Sequence, residues 1–243
     1  MEAKVVLITG AGKRVGACIA RTLHEQGMRV IIHYCHSRDP AVKLADELNK
    51  VRKDSATTLQ ADLTDMADIE TMAKAAGKTW GRVDALVNNA SSFYPSELGS
   101  VDNEHWDALM TVNAKAPYFL AQALLPLLQQ AKGSIVNLVD IHADRPLKNH
   151  SVYCMAKAAM VAMTKALAGD LAPDVRVNGI APGMMLWPDD GMNEKTKKYI
   201  INRIPLQRTG TPADVAETVA FLLKQAYITG QIIAVDGGRT LTI

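Results

Sequence analysis

The chain contains only three cysteines, Cys18, Cys35 and Cys154. They form no CxxC or zinc-ligand spacing, and an odd number argues against a disulfide framework. No apolar run approaches the roughly 18 residues that a membrane-spanning helix requires. Met1 leads almost directly into a strand-like segment without a secretory leader, so a cytoplasmic protein is expected. Net charge is nearly absent as well: 27 Lys and Arg against 25 Asp and Glu leave +2, which offers no basis for a nucleic-acid or membrane surface. A small basic run, Lys195, Lys197 and Lys198, reads as a solvated helix face. Linkers, low-complexity segments and internal repeats are missing, and no metal site is expected.

What is present is the pattern of one large α/β domain over residues 1–243. Of these residues 48% are hydrophobic and 21% charged, ordinary for a globular chain long enough to bury a full core. Apolar runs of strand length alternate with helix-length segments, as in a parallel sheet covered on both faces. Strands are expected at Lys4–Thr9, Arg29–Tyr34, Ala56–Gln60, Ala85–Asn88, Gly133–Leu138, Arg176–Ile180 and Ile232–Val235. Helices are expected between them, including Val15–Gln26 and Ser151–Leu171. About seven strands with crossover helices make a single Rossmann-type doubly wound domain, with ligand at the carboxyl ends of the strands. The pattern weakens over residues 184–208, where Pro188, Asp189, Asp190 and Gly191 fall close together. That stretch reads as a mobile flap over the site.

The segment Thr9-Gly10-Ala11-Gly12-Lys13-Arg14-Val15-Gly16 joins the first strand to the first helix. Glycines there permit a tight turn and bring backbone amides to a pyrophosphate, which the helix N-terminus also attracts. An acidic residue usually ends the second strand of an NAD-binding chain, where it holds the ribose hydroxyls. Here His33-Tyr34-Cys35-His36-Ser37-Arg38 carries no carboxylate before Asp39. Arg14 with Ser37, His36 or Arg38 can hold a 2′-phosphate instead, so NADPH is the expected cofactor.

Tyr153 and Lys157 stand one helical turn apart and leave the same helix face. A lysine ammonium near a phenol favours the phenolate and makes the phenol a usable proton donor near neutral pH. Asp140 stands thirteen residues before Tyr153. A carboxylate beside that pair repels developing negative charge. It suits a substrate that gains a proton on nitrogen better than one that develops an oxyanion.

The glycine loop, Asn88-Asn89-Ala90, Asn113, Tyr153-x-x-x-Lys157, Pro182-Gly183 and Val235-Asp236-Gly237-Gly238, all in order, resemble the short-chain dehydrogenase/reductase family over essentially the whole chain. Most members carry serine where this chain has Asp140. That departure resembles the pteridine reductase branch, whose members carry an Asp–Tyr–Lys set. Thr9 to Gly16, Asn88 to Pro95 and His33 to Ser37 are similar to the same branch, with His36 standing where the branch places arginine.

The resemblance implies site roles. Gly10, Lys13, Arg14, Val15, Gly16, Tyr34, His36, Ser37, Asp62, Leu63, Asn89, Ala90, Tyr153, Lys157, Pro182 and Gly183 would meet the cofactor, with Asp62 at the adenine and Pro182-Gly183 near the nicotinamide. Asn113 would hold a water in a proton relay to Lys157, completing a catalytic set with Asp140 and Tyr153. Arg14, Ser91, Phe93, Asp140, Tyr153, Met184 and Trp187 would meet a pterin or folate. Phe93 would stack on the ring, and Trp187 would either close over it or simply pack. His142, two residues past Asp140, is weighed as a base and set aside because Tyr153 and Lys157 already complete the relay. Family members are commonly homotetramers, packing along helices near Trp106–Gln130 and Ser151–Leu171. The rival readings are an NADPH-dependent ketone reductase of the 3-oxoacyl carrier-protein type and a non-catalytic NADP(H)-sensing protein on the same fold.

Overall fold

The computed structural model describes residues 3–187 and 191–242. Seven strands, β1 (Val5–Ile8), β2 (Arg29–Tyr34), β3 (Ala56–Gln60), β4 (Ala85–Asn88), β5 (Ser134–Leu138), β6 (Arg176–Pro182) and β7 (Ile232–Val235), form one sheet in the order β3-β2-β1-β4-β5-β6-β7. Every pairing is parallel. The helices are α1 (Arg14–Glu25), α2 (Arg38–Val51), α3 (Met66–Trp80), α4 (Asn103–Met110), α5 (Ala116–Gln130), α6 (Ser151–Asp170), α7 (Glu194–Ile201) and α8 (Pro212–Lys224).

The residue alternation of the strands divides the core into two layers. Val6, Ile8, Val30 and Ile32 face α1, α2 and α8, meeting Ile19, Leu23, Leu44 and Val219. Val5, Leu7, Ile31 and Leu86 face the other way, against Ile69 of α3 and Leu120, Leu124 and Leu128 of α5. Burying a side chain of this kind stabilises the fold by about 1.5–3 kcal/mol. Local sequence sets the helix ends. Asp65 caps α3 by accepting from the Ala67 amide at 2.8 Å. Thr211 and Asp214 cap α8 reciprocally, with Pro212 in the first turn.

The order of connection reverses between β1 and β4, which opens a crevice at the carboxyl ends of the strands. One expectation needs correction. The long helix near Trp106–Gln130 is interrupted by a π turn at Thr111–Lys115. Its cause is Pro117, which has no N–H for the Asn113 carbonyl four residues earlier and whose ring would crowd it. Within the weakly patterned stretch 184–208 the chain forms α7, which buries none of its residues. Pro188, Asp189 and Asp190 lie outside the described residues. Lys195, Lys197 and Lys198 do lie on that solvated helix, where Lys197 meets Glu194 at 2.8 Å.

Candidate active site

A cleft of about 640 Å³ lies at the reversal point. Gly10, Lys13, Arg14, Val15, Gly16, Tyr34, His36, Ser37, Asp62, Leu63, Asn89, Ala90 and Ser91 all line it. The chemistry of its wall fits a dinucleotide. Helix α1 begins with no side-chain cap and no acidic residue in its first turn, so its N–H groups and positive dipole end remain for an anion. Close approach is built in. Gly10 has φ +60, and a Cβ on Gly16 would stand 2.5 Å from the Gly10 carbonyl oxygen and 2.6 Å from Asn89 Nδ2. Arg14 itself adopts φ 52 at the helix start, a left-handed conformation that costs a non-glycine residue energy.

The loop is held from beneath. Asn89 Nδ2 donates to the Thr9 and Gly10 carbonyls at 2.8 and 3.1 Å. The Thr9 hydroxyl oxygen accepts from the Asn89 and Ala90 amides at 2.9 and 3.0 Å. Thr64 donates through its amide and hydroxyl to Asp62, which holds that carboxyl below its usual range. The end of β2 carries no acid, and Ser37 makes no capping bond to α2.

At the end of β5 the chain places Asp140, which caps a short 3-10 turn by accepting from the His142 amide at 2.8 Å through Oδ1. Its other oxygen accepts the Tyr153 phenol at 2.7 Å. Lys157 is 1% exposed, its Nζ 5.7 Å from the centre of the Tyr153 ring and donating to the Leu138 carbonyl at 2.9 Å. Burial drives the Lys157 ammonium down to about 8, against the pull of Asp140. Burial also pushes the Tyr153 phenol above its usual range, reinforced by the charge and hydrogen bond of Asp140 and opposed by Ser91. The expected pull of the lysine ammonium on the phenol is thus met by two influences in the other direction, burial and Asp140. In the free chain desolvation and Asp140 both favour the protonated phenol, which donates to that carboxylate.

Phe93 stands at the same place, 56% exposed. Its ring meets Tyr153 edge-on at 4.9 Å and stacks on His150 at 4.7 Å. Ser91 donates to Asn113 Oδ1 at 2.7 Å, and Asn113 Nδ2 donates to the Ser92 and Leu109 carbonyls, both at 2.9 Å. The carboxamide of Asn113 thus ties the segment carrying Phe93 to the π turn and makes no direct bond to Lys157. Pro182 ends β6 and Gly183 follows it, beside the strand that delivers Asp140. Met184 and Trp187 follow them and do not line the cofactor cleft. The Met184 carbonyl accepts from the Gly210 amide at 3.0 Å, and the Trp187 ring lies under Lys197 at 5.8 Å. His142 is turned to the Arg145 carbonyl at 2.8 Å.

Sequence reasoning missed a buried polar chain behind the site. Asn88 donates to Asn137 Oδ1, and Asn137 to the Thr164 hydroxyl, both at 2.8 Å, which ties β4, β5 and α6 together. Its only signal was an asparagine at a core position in each of two buried strands. Among the described residues no cluster suited to a metal ion occurs, and no described helix is long and apolar enough to cross a membrane.

A family model described as enoyl-(acyl carrier protein) reductase matches residues 10–240. Pteridine reductase 1 of Leishmania tarentolae is 38% identical over 99% of this chain and 97% of its own length. A 3-oxoacyl-(acyl-carrier-protein) reductase of Staphylococcus aureus is 33% identical over 97% of both chains. A protein of the same description from Staphylococcus epidermidis is also 33% identical, over 97% of this chain and 98% of its own.

Proposed function

The chain belongs to the short-chain dehydrogenase/reductase family, and from that premise we propose that it is an NADPH-dependent pteridine reductase. Its substrates would be 7,8-dihydropterins, with dihydrofolate or oxidised pterins as further members of the class. The observation that carries this reading is the 2.7 Å hydrogen bond from Tyr153 to Asp140.

A ketone reductase stabilises an incipient alkoxide, best done by two neutral donors. A carboxylate at one donor position opposes that charge. The C6=N5 imine of a dihydropterin has the reverse need: it becomes a better electrophile as N5 takes up a proton, and a neighbouring carboxylate stabilises the resulting positive charge. NADPH, when bound, supplies the hydride to C6. Tyr153 delivers the proton to N5, and the Lys157 ammonium, 5.7 Å from the centre of its ring, favours the anion left behind. Asp140 releases the phenol to the substrate and accepts hydrogen bonds from the pterin ring; only after taking up a proton itself would it donate one during reduction of a fully oxidised ring. Phe93, edge-on to Tyr153, is the stacking surface that sets the ring at the distance required for transfer.

Reprotonation runs through Lys157 and a water on Asn113. The Asn113 backbone carbonyl suits that role, since Pro117 cannot supply its α-helical donor. NADPH is favoured over NADH by the missing acid after β2 and by Arg14, His36 and Ser37 on the cleft wall. The protein is proposed to act in the cytoplasm as a homotetramer. Trp106, Tyr118, Phe119 and Met155, exposed on α4, α5 and α6, support that assembly.

The similarity to 3-oxoacyl reductases makes the ketone reductase the alternative to test. Purified protein is supplied with NADPH and either 7,8-dihydrobiopterin or an acetoacetyl thioester, and NADPH oxidation is followed. Turnover of the pterin alone is expected. Turnover of the thioester alone would replace this reading with the ketone reductase, and binding of NADPH without turnover of either would favour a sensing role.

A further inference from the structure

His33 is 1% exposed at the end of β2, and its two ring nitrogens face two different loops of the cofactor cleft. The Gly10 amide lies 3.0 Å from Nδ1, and the Ala61 carbonyl lies 3.0 Å from Nε2. The amide can only donate and the carbonyl can only accept. The ring must therefore accept at Nδ1 and donate at Nε2, which is the neutral Nε2–H tautomer. Its own carbonyl accepts from the Ala11 amide at 2.9 Å, so the phosphate loop is bound to His33 through both main chain and side chain. Ala61 precedes Asp62, and thus the ring also fixes the loop on the adenine side.

We propose that His33 is the positioning residue of the dinucleotide site, a neutral imidazole clamp that holds the Gly10 amide away from the ligand and so aims the remaining amides of the loop and of α1 at the pyrophosphate. The proposal rests on dinucleotide binding by the family and is independent of which substrate is reduced. Burial lowers the affinity of His33 for a second proton, while the Ala61 carbonyl and Asp62 act in the opposite sense. A second proton at Nδ1 would face the Gly10 N–H and open the clamp. The titratable and charged groups around it are Asp62 on the β3–α3 loop, Lys13 and Arg14 on the phosphate loop, and Cys35 and His36 on the β2–α2 loop.

The test uses His33→Asn, whose side-chain oxygen reproduces the Nδ1 acceptor, and His33→Leu, which removes it at similar bulk. Whichever of NADP⁺ and NAD⁺ the wild type binds more tightly is titrated calorimetrically against all three proteins from pH 8 downward. His33→Leu should raise Kd about tenfold or more, as expected when a buried donor loses its partner, and His33→Asn should stay within about threefold. Wild-type affinity should fall in acid more steeply than that of His33→Asn, since the other charged groups are common to both. Equal affinity in wild type and His33→Leu would overturn the proposal. Two folded variants that lose affinity equally would also overturn it, because bulk rather than the acceptor would then matter. Should His33→Leu not fold, ¹⁵N spectra of wild-type imidazoles at pH 7 decide: a buried ring protonated only at Nε2 supports the clamp, and the other tautomer or a doubly protonated ring refutes it.

Discussion

Tyr153 donates to Asp140 across 2.7 Å, so the proposed proton donor is already hydrogen-bonded to a carboxylate before any substrate arrives. That bond, with burial, keeps the phenol protonated, and it distinguishes this site from one that binds an alkoxide between neutral donors.

Asp140→Ser should reduce kcat/KM for a dihydropterin by about 10²–10³-fold, the range for loss of a positioned acid–base or electrostatic group. The Kd for NADPH should stay within about twofold. Steady-state kinetics beside a direct cofactor titration test this, and unchanged pterin kinetics would remove the main support for the proposed substrate.

Tyr153→Phe keeps the ring that meets Phe93 and loses only the hydroxyl. Turnover should fall about 10²–10⁴-fold while NADPH still binds and the melting temperature moves little. Retention of most of the activity would mean that the proton comes from elsewhere.

The Lys157 ammonium, driven by burial to about 8, predicts a pH profile. The kcat/KM for the pterin should decline above about pH 8 with the slope of one proton, as the Lys157 ammonium is lost. For stability the sign is opposite. Between about 8 and the ordinary lysine value of about 10.5 the unfolded chain binds the extra proton, so this group makes folding more favourable as pH rises through that window. Lys157→Met should abolish both dependences.

Gly16→Ala places a methyl 2.5 Å from the Gly10 carbonyl oxygen. The loop must shift, costing about 1–3 kcal/mol, and NADPH affinity should fall at least tenfold. Thermal denaturation with and without cofactor tests this, and a normal cofactor-induced rise in melting temperature would contradict it.

Pro117→Ala restores the N–H that the Asn113 carbonyl lacks. The π turn at Thr111–Lys115 should relax toward α-helix, raising or preserving the melting temperature while kcat falls about tenfold. Activity equal to wild type would separate the π turn from the chemistry.

The sheet was legible almost residue for residue. Short, mostly apolar runs between helix-length segments have few alternatives, and the edges of β2, β3, β4 and β7 agree with the expectation. The phosphate loop was equally legible, because glycine spacing and a following helix are local properties. The π turn was not, since Pro117 reads as an ordinary first-turn proline until its partner carbonyl is identified. Nor was the state of Tyr153, because its neighbour on the helix, Lys157, suggests an acidic phenol, whereas its burial and its bond to Asp140 depend on how β5 meets α6.

By itself, then, the sequence determined a parallel doubly wound sheet, a dinucleotide loop, and an Asp, a Tyr and a Lys able to form one site. These follow from residue type and short-range periodicity. Only the tertiary structure decided which proton sits where: that Tyr153 gives its hydrogen to Asp140, that Lys157 is buried and anchored on Leu138, and that His33 is a neutral clamp between Gly10 and Ala61. Proton positions depend on desolvation and on partners far away in the chain, and those exist only after the strands have been brought together.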